Sequence, residues 1–338
     1  MDRRALFCGL AALAAGALPA SGALAWGDTG HRLIGALAVK ALPKALPAFL
    51  RTPKAAADVG ELAREPDRWR NAGKTHDTMR DPAHFLDVDD AGRILGGPAL
   101  DKLPATRTDY ETALRAVGTD SQKAGWLPYA IVDGYQQLFK DFAYWRADVA
   151  GERTERAPGP RAWITADRLR RERQIVQDLG VWAHYVGDAS QPLHLTVHYN
   201  GWGDGPNPAG YTTDRIHVPY EGEFVRANVT AAAVAARMKP YRDCHCGVEL
   251  RTADYLKATY ATVIPFYELQ KAGGLKDGDR RGAAFTTERL AAAASELRDL
   301  TVQAWNASAY GTVGYPPTQV GEIEAGRADA YALLYGMD

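Results

Sequence analysis

The stretch Val181-Trp-Ala-His184-Tyr-Val-Gly-Asp188-Ala-Ser-Gln-Pro-Leu-His194 contains three residues that commonly bind metal ions. His184 and Asp188 are four residues apart, so on a helix the imidazole and the carboxylate share one face, about one turn apart. Pro192 breaks a helix, and His194 can then return toward the same space. Two neutral imidazoles and a carboxylate whose oxygens can bridge two cations are typical metal ligands. The stretch therefore predicts a helix that ends in a metal site.

Length and composition indicate an ordinary globular protein. The chain has 338 residues, enough for one large domain or two smaller ones, and 46% of them are hydrophobic and 24% charged. The chain carries 40 Lys and Arg residues and 41 Asp and Glu residues. This balance excludes a nucleic-acid binder that works through bulk positive charge, but it permits an enzyme with a local basic contact.

The first 25 residues have the features of a secretory signal peptide. Arg3 and Arg4 precede an apolar, Ala-rich run, and Ala23-Leu24-Ala25 matches the small-x-small pattern of a cleavage site. The run is too short for a comfortable membrane span, and no later stretch is long and uncharged enough to be a transmembrane segment. We expect an exported protein, periplasmic or extracellular; the paired arginines leave both general secretion and twin-arginine export open.

Beyond the signal peptide, apolar residues recur mainly at helical spacing. We expect an all-α fold: a single large multi-helix domain over 26–338, with long loops and the metal site in a cleft between helices. The expected loops include 50–59 and the polar segment 71–82. The first expected helix has His31 at its mouth, and further helices are expected at 61–70, 108–117, 126–149, 162–184, 215–238, 253–269 and 287–309.

Five of the eight histidines lie where metal chemistry would use them. His217 and Glu221 form a second pair four residues apart, again on one helix face. Asp67 and His84 each adjoin an aromatic-rich segment, as in a buried site. Any one of these histidines alone would be interpreted as a core or surface residue, but their joint placement favours metal binding. The five are His31, His84, His184, His194 and His217.

The remaining histidines and the cysteines are interpreted structurally. Removal of the signal peptide would leave Cys244 and Cys246 as the only cysteines, and in an oxidising compartment they can form a local disulfide across His245. We favour this disulfide, or two free thiols, over a Cys-His-Cys metal site. His76 falls in a polar loop, and His198, beside a glycine-rich loop, is a less favoured substrate contact.

These residues together resemble the phospholipase C/P1 nuclease superfamily of trinuclear zinc enzymes, most closely the bacterial S1/P1 nuclease family. The resemblance covers roughly residues 26–225, and the order of its nine ligands is highly specific. It rests on Trp26, Gly30-His31, Asp67, His84-Phe85, His184-x3-Asp188-x5-His194 and His217-x3-Glu221.

The resemblance implies three zinc ions. In the superfamily, the amine and carbonyl of an N-terminal tryptophan bind zinc, and an α-amine with a pKa near 8 becomes a ligand once signal cleavage unblocks it. The implied reaction is phosphoester hydrolysis by a hydroxide shared between two zinc ions, with the third ion neutralising charge on the phosphate. The implied ligand sets are Asp67, His84, His184 and Asp188; Trp26, His31 and the bridging Asp188; and His194, His217 and Glu221.

Asp67 and Arg70 are the candidate catalytic residues. The resemblance places Arg70 near the scissile phosphate, where a guanidinium can bind oxygens in a fork, and Asp67 can orient the nucleophile. Phe85 and Asp87 follow His84 in the order in which the nuclease family places a base-stacking ring and a base-binding carboxylate. The expected substrates are single-stranded DNA or RNA, with 3′-nucleotides as a further class, and no protein partner is implied.

Two alternatives stay open. Glu221 stands where nucleases use aspartate, and His217-Val-Pro-Tyr-Glu221 resembles the phospholipase C branch, so hydrolysis of phosphatidylcholine-like lipids is the first alternative. The loop 198–210 also departs from the nuclease pattern. The chain after residue 250 is expected to be helical, without a β-sandwich for membrane docking, which favours the nuclease. A secreted zinc-binding protein without catalysis is the second alternative.

Overall fold

The computed structural model describes residues 26–203 and 205–335, and the described chain is all-α, as the sequence predicts. The expected signal peptide at 1–25 lies outside the described residues. No described helix combines the length and apolar character needed to cross a membrane.

The α-helices are α1 (Gly27–Lys40), α2 (Pro53–Leu62), α3 (Glu65–Arg68), α4 (Lys74–Arg80), α5 (Arg107–Arg115), α6 (Ser121–Ala124), α7 (Leu127–Thr154), α8 (Pro158–Asp188), α9 (His217–Pro219), α10 (Val225–Asn228), α11 (Ala231–Arg237), α12 (Val248–Tyr260), α13 (Val263–Lys271), α14 (Arg280–Ser308), α15 (Val320–Glu324) and α16 (Ala330–Leu334).

Short irregular elements connect these helices. A π-helix, Tyr220–Phe224, joins α9 to α10. Two short strands, β1 (Thr312–Val313) and β2 (Thr318–Gln319), form an antiparallel hairpin after α14. The 3₁₀ helices are Ala48–Arg51, Trp69–Ala72, Asp81–His84, Leu100–Lys102 and Pro192–Leu195.

Three long helices form the framework around the site. α7 and α8 pack along each other, α14 packs against α7 and α1, and α2 packs against both α1 and α8. Their apolar faces form one continuous buried cluster that runs from Trp26 to Ala304. A smaller cluster forms where the C-terminal hairpin, α15 and α16 cover α7. Because α1 and α8 both face this core, residues at the start of α1 and the end of α8 meet inside the protein.

Two glycines let α1 and α2 approach each other closely. A Cβ atom on Gly35 would lie 2.9 Å from the Val59 carbonyl oxygen, and one on Gly60 would lie 2.9 Å from the Arg32 carbonyl oxygen. These distances are below van der Waals contact, so a side chain at either position would push the helices apart. The glycines therefore fix α1 where it delivers His31 to the site.

Several predicted boundaries were wrong for identifiable reasons. The expected loop 50–59 is largely α2, which Thr52 caps by accepting a hydrogen bond from the amide of Ala55 at 3.0 Å. The expected loop 71–82 contains α4, which has no buried residue and therefore no apolar period to reveal it. The expected helix 215–238 is divided into α9, the π-helix, α10 and α11, with Thr230 capping α11.

Asp148, on α7, is a buried carboxyl group without a hydrogen-bond partner among the described residues. Burial raises its pKa to about 8, and Asp167 adds repulsion that the Arg171 guanidinium partly offsets. A free aspartate has a pKa near 4, so between about pH 4 and 8 the folded state holds a proton that the unfolded chain releases. Within that window the free energy of unfolding falls as the pH rises.

We predict that Asp148→Asn removes this pH dependence, because an amide is neutral throughout the window. The difference in unfolding free energy between variant and parent should be near zero at pH 4 and grow in favour of the variant toward pH 8, by up to about 1.4 kcal/mol per pH unit. Urea unfolding at several pH values measures this difference. The exposed Asp254→Asn is the matched control, and a difference that does not change with pH for Asp148→Asn would contradict the prediction.

Candidate metal centre

The end of α8 supplies the first two ligands of the centre. His184 and Asp188 lie one turn apart on a buried face, with 3.3 Å between His184 Nε2 and Asp188 Oδ2. The Nδ1 atom of His184 lies 2.7 Å from the carbonyl oxygen of Ala63. A carbonyl only accepts hydrogen bonds, so Nδ1 carries the proton and Nε2 presents its lone pair to the site. This arrangement is typical of metal-binding histidines.

Asp188 connects two groups of ligands. Its Oδ1 atom lies 3.4 Å from His31 Nε2, and its Oδ2 atom lies 3.0 Å from His84 Nδ1. Asp67 belongs to the group of His84 and His184, and its Oδ1 atom lies 3.9 Å from His184 Nε2. The structure places His184 within reach of the group that contains His31 as well as the group that contains Asp67. The family resemblance assigned His184 only to the set that contains Asp67. An imidazole nitrogen has one lone pair, so the carboxylate of Asp188 is the group able to bridge two ions.

A third group forms where the Pro192–Leu195 turn meets the π-helix. Glu221 Oε1 lies 3.1 Å from His194 Nε2 and 2.9 Å from His217 Nε2. The Nδ1 atom of His194 lies 2.6 Å from the carbonyl oxygen of His84, which leaves Nε2 of a neutral His194 as a lone pair. That lone pair faces His217 Nε2 at 3.1 Å. Together the three groups contain all eight side-chain ligands that the sequence predicts.

Buried polar atoms without partners test whether these groups suit a cation. Within the described part of the chain, both ring nitrogens of His31, Oδ1 of Asp67, Oδ1 of Asp188 and Oε2 of Glu221 are buried without a hydrogen bond. Leaving such an atom unpaired costs about 1–3 kcal/mol, more for a charged group. Nitrogen and carboxylate donors crowded in this way suit a divalent cation. The residues present therefore fit divalent metal ions.

The pKa values of the cluster reflect burial and the close carboxylates. Burial lowers the pKa of His31 well below its usual value and that of His84 to about 4. For His194 burial acts in the same direction, but the carboxylates of Asp188 and Glu221 outweigh it and raise the pKa to about 9. Burial raises the pKa of Asp67 to about 6. Burial therefore favours the neutral form of His31 and His84 that a metal ligand needs, whereas a divalent cation at His194 would have to displace a proton.

Trp26 lies beside the ligands, at the start of α1. Its side chain is fully buried, and its indole Nε1 donates to the Gly187 carbonyl oxygen at 2.8 Å and to Ser190 Oγ at 3.1 Å. The indole ring therefore anchors this segment to the end of α8, next to Asp188. Binding through a freed amine at Trp26 stays a prediction, since the preceding residues lie outside the described chain.

The predicted substrate residues line one cleft next to the ligands. The cleft has a volume of about 430 Å³ and is bordered by Arg70, Phe85, Asp87 and the imidazoles of His84 and His194. Arg70 lies 3.4 Å from Asp67 Oδ1 and 3.5 Å from Asp81 Oδ1, measured from Nη2. Burial raises the pKa of Asp87 to about 7. The cleft therefore places a guanidinium and an aromatic ring at the edge of the ligand groups.

Three residues of this region escaped the sequence analysis. Lys123 and Tyr199 also border the cleft, but each lies in a segment without periodic signal. Gln191 is fully buried, and its Nε2 donates to Glu221 Oε1 at 2.6 Å while its Oε1 accepts from the Leu193 amide at 2.7 Å. Gln191 therefore holds one Glu221 oxygen and leaves Oε2 without a partner. Its position inside the 181–194 stretch was the one available signal.

The remaining predicted features are placed as follows. Cys244 and Cys246 form a disulfide, so a Cys-His-Cys metal site has no thiolates to use. His198 is buried, with its ring stacked 3.8 Å from that of Trp202 and its Nε2 2.9 Å from Asp90 Oδ1. His198 therefore orders its loop through contacts within the protein. His76 is exposed on α4.

We predict that Gln191→Leu weakens metal binding at the group formed by His194, His217 and Glu221. Removing a buried partner of a ligand typically costs 10–100-fold in metal affinity. Titration of the metal-free protein with Zn²⁺ against a competing chelator should show this loss at one site, with the other sites unchanged. Gln303→Leu is the matched control, since Gln303 donates a comparable hydrogen bond to the Cys246 carbonyl oxygen at 2.8 Å. Equal metal affinities in both variants would contradict the prediction.

Comparison of the chain with protein-family models, with curated proteins and with solved structures gave no match. The chemistry of the residues described above is therefore the basis for a functional proposal.

Proposed function

We propose that this protein is an exported zinc-dependent phosphoesterase of the phospholipase C/P1 nuclease superfamily that hydrolyses phosphodiester bonds of single-stranded nucleic acid and 3′-nucleotide monoesters. One observation carries the proposal: three groups of imidazole and carboxylate side chains, two of them joined by Asp188, lie beside a cleft whose wall contains Arg70, His84, His194 and His217. A zinc-storage protein would need neither a bridging carboxylate nor a guanidinium beside it.

The proposed division of roles follows the groups. Asp67, His84, His184 and Asp188 would hold one zinc ion, Asp188 with His31 and the freed Trp26 a second, and His194, His217 and Glu221 a third. Bound zinc lowers the pKa of water to about 7 and polarises phosphate oxygens. Each imidazole must present a deprotonated nitrogen to bind, and the carbonyl oxygens of Ala63 and His84 favour that tautomer for His184 and His194.

Arg70 is the proposed phosphate-binding residue. Its side chain is 17% exposed, so it is largely desolvated while its guanidinium borders the cleft. A guanidinium can bind two phosphate oxygens at once, and such a charge-assisted fork is stronger when water is excluded. Asp67 and Asp81 hold Arg70 in place, and Asp67 thereby links the phosphate-binding residue to the metal ligands.

The lining of the cleft favours a nucleotide over a lipid. Five charged side chains border the cleft, and its apolar surface comes largely from aromatic rings, because Leu193, its one aliphatic residue, is fully buried. Phe85 is half-buried and borders the cleft, so its ring can stack on a base, and Asp87 can accept a hydrogen bond from the edge of that base. Phospholipase C activity is the second candidate, because glutamate at position 221 matches that branch.

Hydrolysis of a substrate panel tests the proposal. Single-stranded DNA, RNA, 3′-nucleotides and phosphatidylcholine vesicles are each incubated with the zinc-loaded protein, with and without a chelator. We expect cleavage of the first three, loss of activity with chelator and recovery on addition of Zn²⁺. Cleavage of lipid alone would replace the nuclease by a phospholipase C, and three bound zinc ions without any cleavage would indicate storage.

We predict that one extra residue before Trp26 severely lowers both zinc content and activity. The extra peptide bond converts a basic amine into an amide, which has no lone pair to offer a metal ion. The proposed zinc site of Trp26, His31 and Asp188 therefore loses a ligand. We expect activity to fall by more than the 10–100-fold typical of a lost partner outside the ligand sphere. Metal analysis and hydrolysis are compared for chains that begin at Trp26 and at Ala25. Equal zinc content and activity would show that the amine is not a ligand.

A further inference from the structure

We propose that Tyr199 forms a second base-stacking surface in the cleft, so that the site holds two consecutive nucleotides, one on each side of the scissile phosphate. The inference rests on the proposed nuclease function and specifies its substrate as an internal phosphodiester flanked by two bases.

Tyr199 is an exposed aromatic residue beside the ligands. Half of its surface is accessible, at 50%, and it borders the same cleft as Arg70 and Phe85. The centroid of its ring lies 6.5 Å from that of His217, with the planes inclined at 65°. Because the His217 ring covers only part of the tyrosine, much of the Tyr199 ring remains available to a planar ligand.

The backbone around Tyr199 is held firmly on both sides. His198 is buried against Trp202 and accepts a hydrogen bond at its carbonyl oxygen from the Tyr267 hydroxyl. Asn200 accepts a hydrogen bond from the His217 amide at 3.2 Å, measured to its Oδ1. With both neighbours anchored, the backbone at Tyr199 loses little freedom when a ligand binds, which lowers the entropic cost of stacking on its ring.

Phe85 and Tyr199 border different ligand groups. Phe85 directly follows His84, and its ring packs at Gly125, where a Cβ atom would lie 2.8 Å from it. Tyr199 instead contacts His217, a member of the third group. His194 stands between the two, since its Nδ1 is 2.6 Å from the His84 carbonyl oxygen and its Nε2 is 3.1 Å from His217 Nε2. A phosphate bound over the ligand groups would therefore have one ring near each flanking base.

The rest of the wall favours bases as the ligands of these rings. Lys123 and Arg70 offer positive charge to a phosphate backbone, and Asp87 offers an acceptor to a base edge. Every base has a π-face, so two such rings bind single strands without sequence preference. A duplex keeps its bases stacked on each other and would not offer them to the rings. The arrangement therefore fits a single strand with two unstacked bases.

The test compares Tyr199→Ala with Tyr199→Phe on a dinucleotide and on a 3′-nucleotide. A 3′-nucleotide carries one base and needs one ring, whereas the dinucleotide needs both. We expect Tyr199→Ala to raise the ratio of KM for the dinucleotide to KM for the 3′-nucleotide by about 5- to 150-fold, the range that loss of one stacked base implies. Tyr199→Phe retains the ring and should retain the ratio. Tyr310→Ala, at an 84% exposed tyrosine, is the matched control.

A second measurement does not depend on turnover. A dinucleotide with a linkage that resists hydrolysis carries the fluorescent base 2-aminopurine on either the 5′ or the 3′ side. Stacking quenches this base, so Tyr199→Ala should relieve quenching on one side and Phe85→Ala on the other. An unchanged KM ratio, or equal loss for both substrates, would overturn the inference while leaving the nuclease proposal intact. Absence of nucleic-acid cleavage by the parent protein would overturn both.

Discussion

The carboxylate of Asp188 is the constraint on which the centre depends. It is fully buried, one oxygen faces His31 from α1, and the other faces His84 and His184. Burial alone would raise its pKa, but the neighbouring imidazoles, His184 first, hold the pKa well below its ordinary value. A buried carboxylate of this kind is stable only while positive charge stays close to it. The fold must therefore bring the segments that carry His31, His84 and His184 to the carboxylate of Asp188.

Small residues and local irregularities achieve this convergence. A Cβ atom on Gly187 would lie 3.1 Å from the His31 ring, so the glycine allows α1 to approach α8 at the level of Asp188. A Cβ atom on Gly27 would lie 2.9 Å from the Glu221 carbonyl oxygen, which couples the start of α1 to the π-helix. π-Helices are rare and concentrate at functional sites. The π-helix Tyr220–Phe224 contains Glu221, so this irregular turn is part of the candidate site.

Local spacing predicted the pairs that share one helical face, the family resemblance predicted the grouping of distant candidate ligands, and contacts outside both were missed. His184 with Asp188, and His217 with Glu221, were identifiable because four-residue spacing places both members on one helical face. The all-α class was predictable for the same reason. By contrast, Gln191 and Glu221 are 30 residues apart, and only the fold brings them together. Tyr199 lies in a glycine-rich loop where no periodicity distinguishes a functional aromatic residue from an incidental one.

Under the proposed function, the charges around the cleft give the metal ions a second role, the attraction of the substrate. Apart from the ligands, the wall carries two cations, Arg70 and Lys123, and three carboxyl groups, those of Asp77, Asp81 and Asp87. Asp67 and Asp81 both engage Arg70, so Arg70 can contact a bound phosphate at short range while the side chains of the wall carry little net positive charge. A chain with a formal net charge of −1 adds no long-range attraction. Under the proposed function, the positive potential of the site must therefore come mainly from the ions, and metal binding would control substrate affinity as well as hydrolysis.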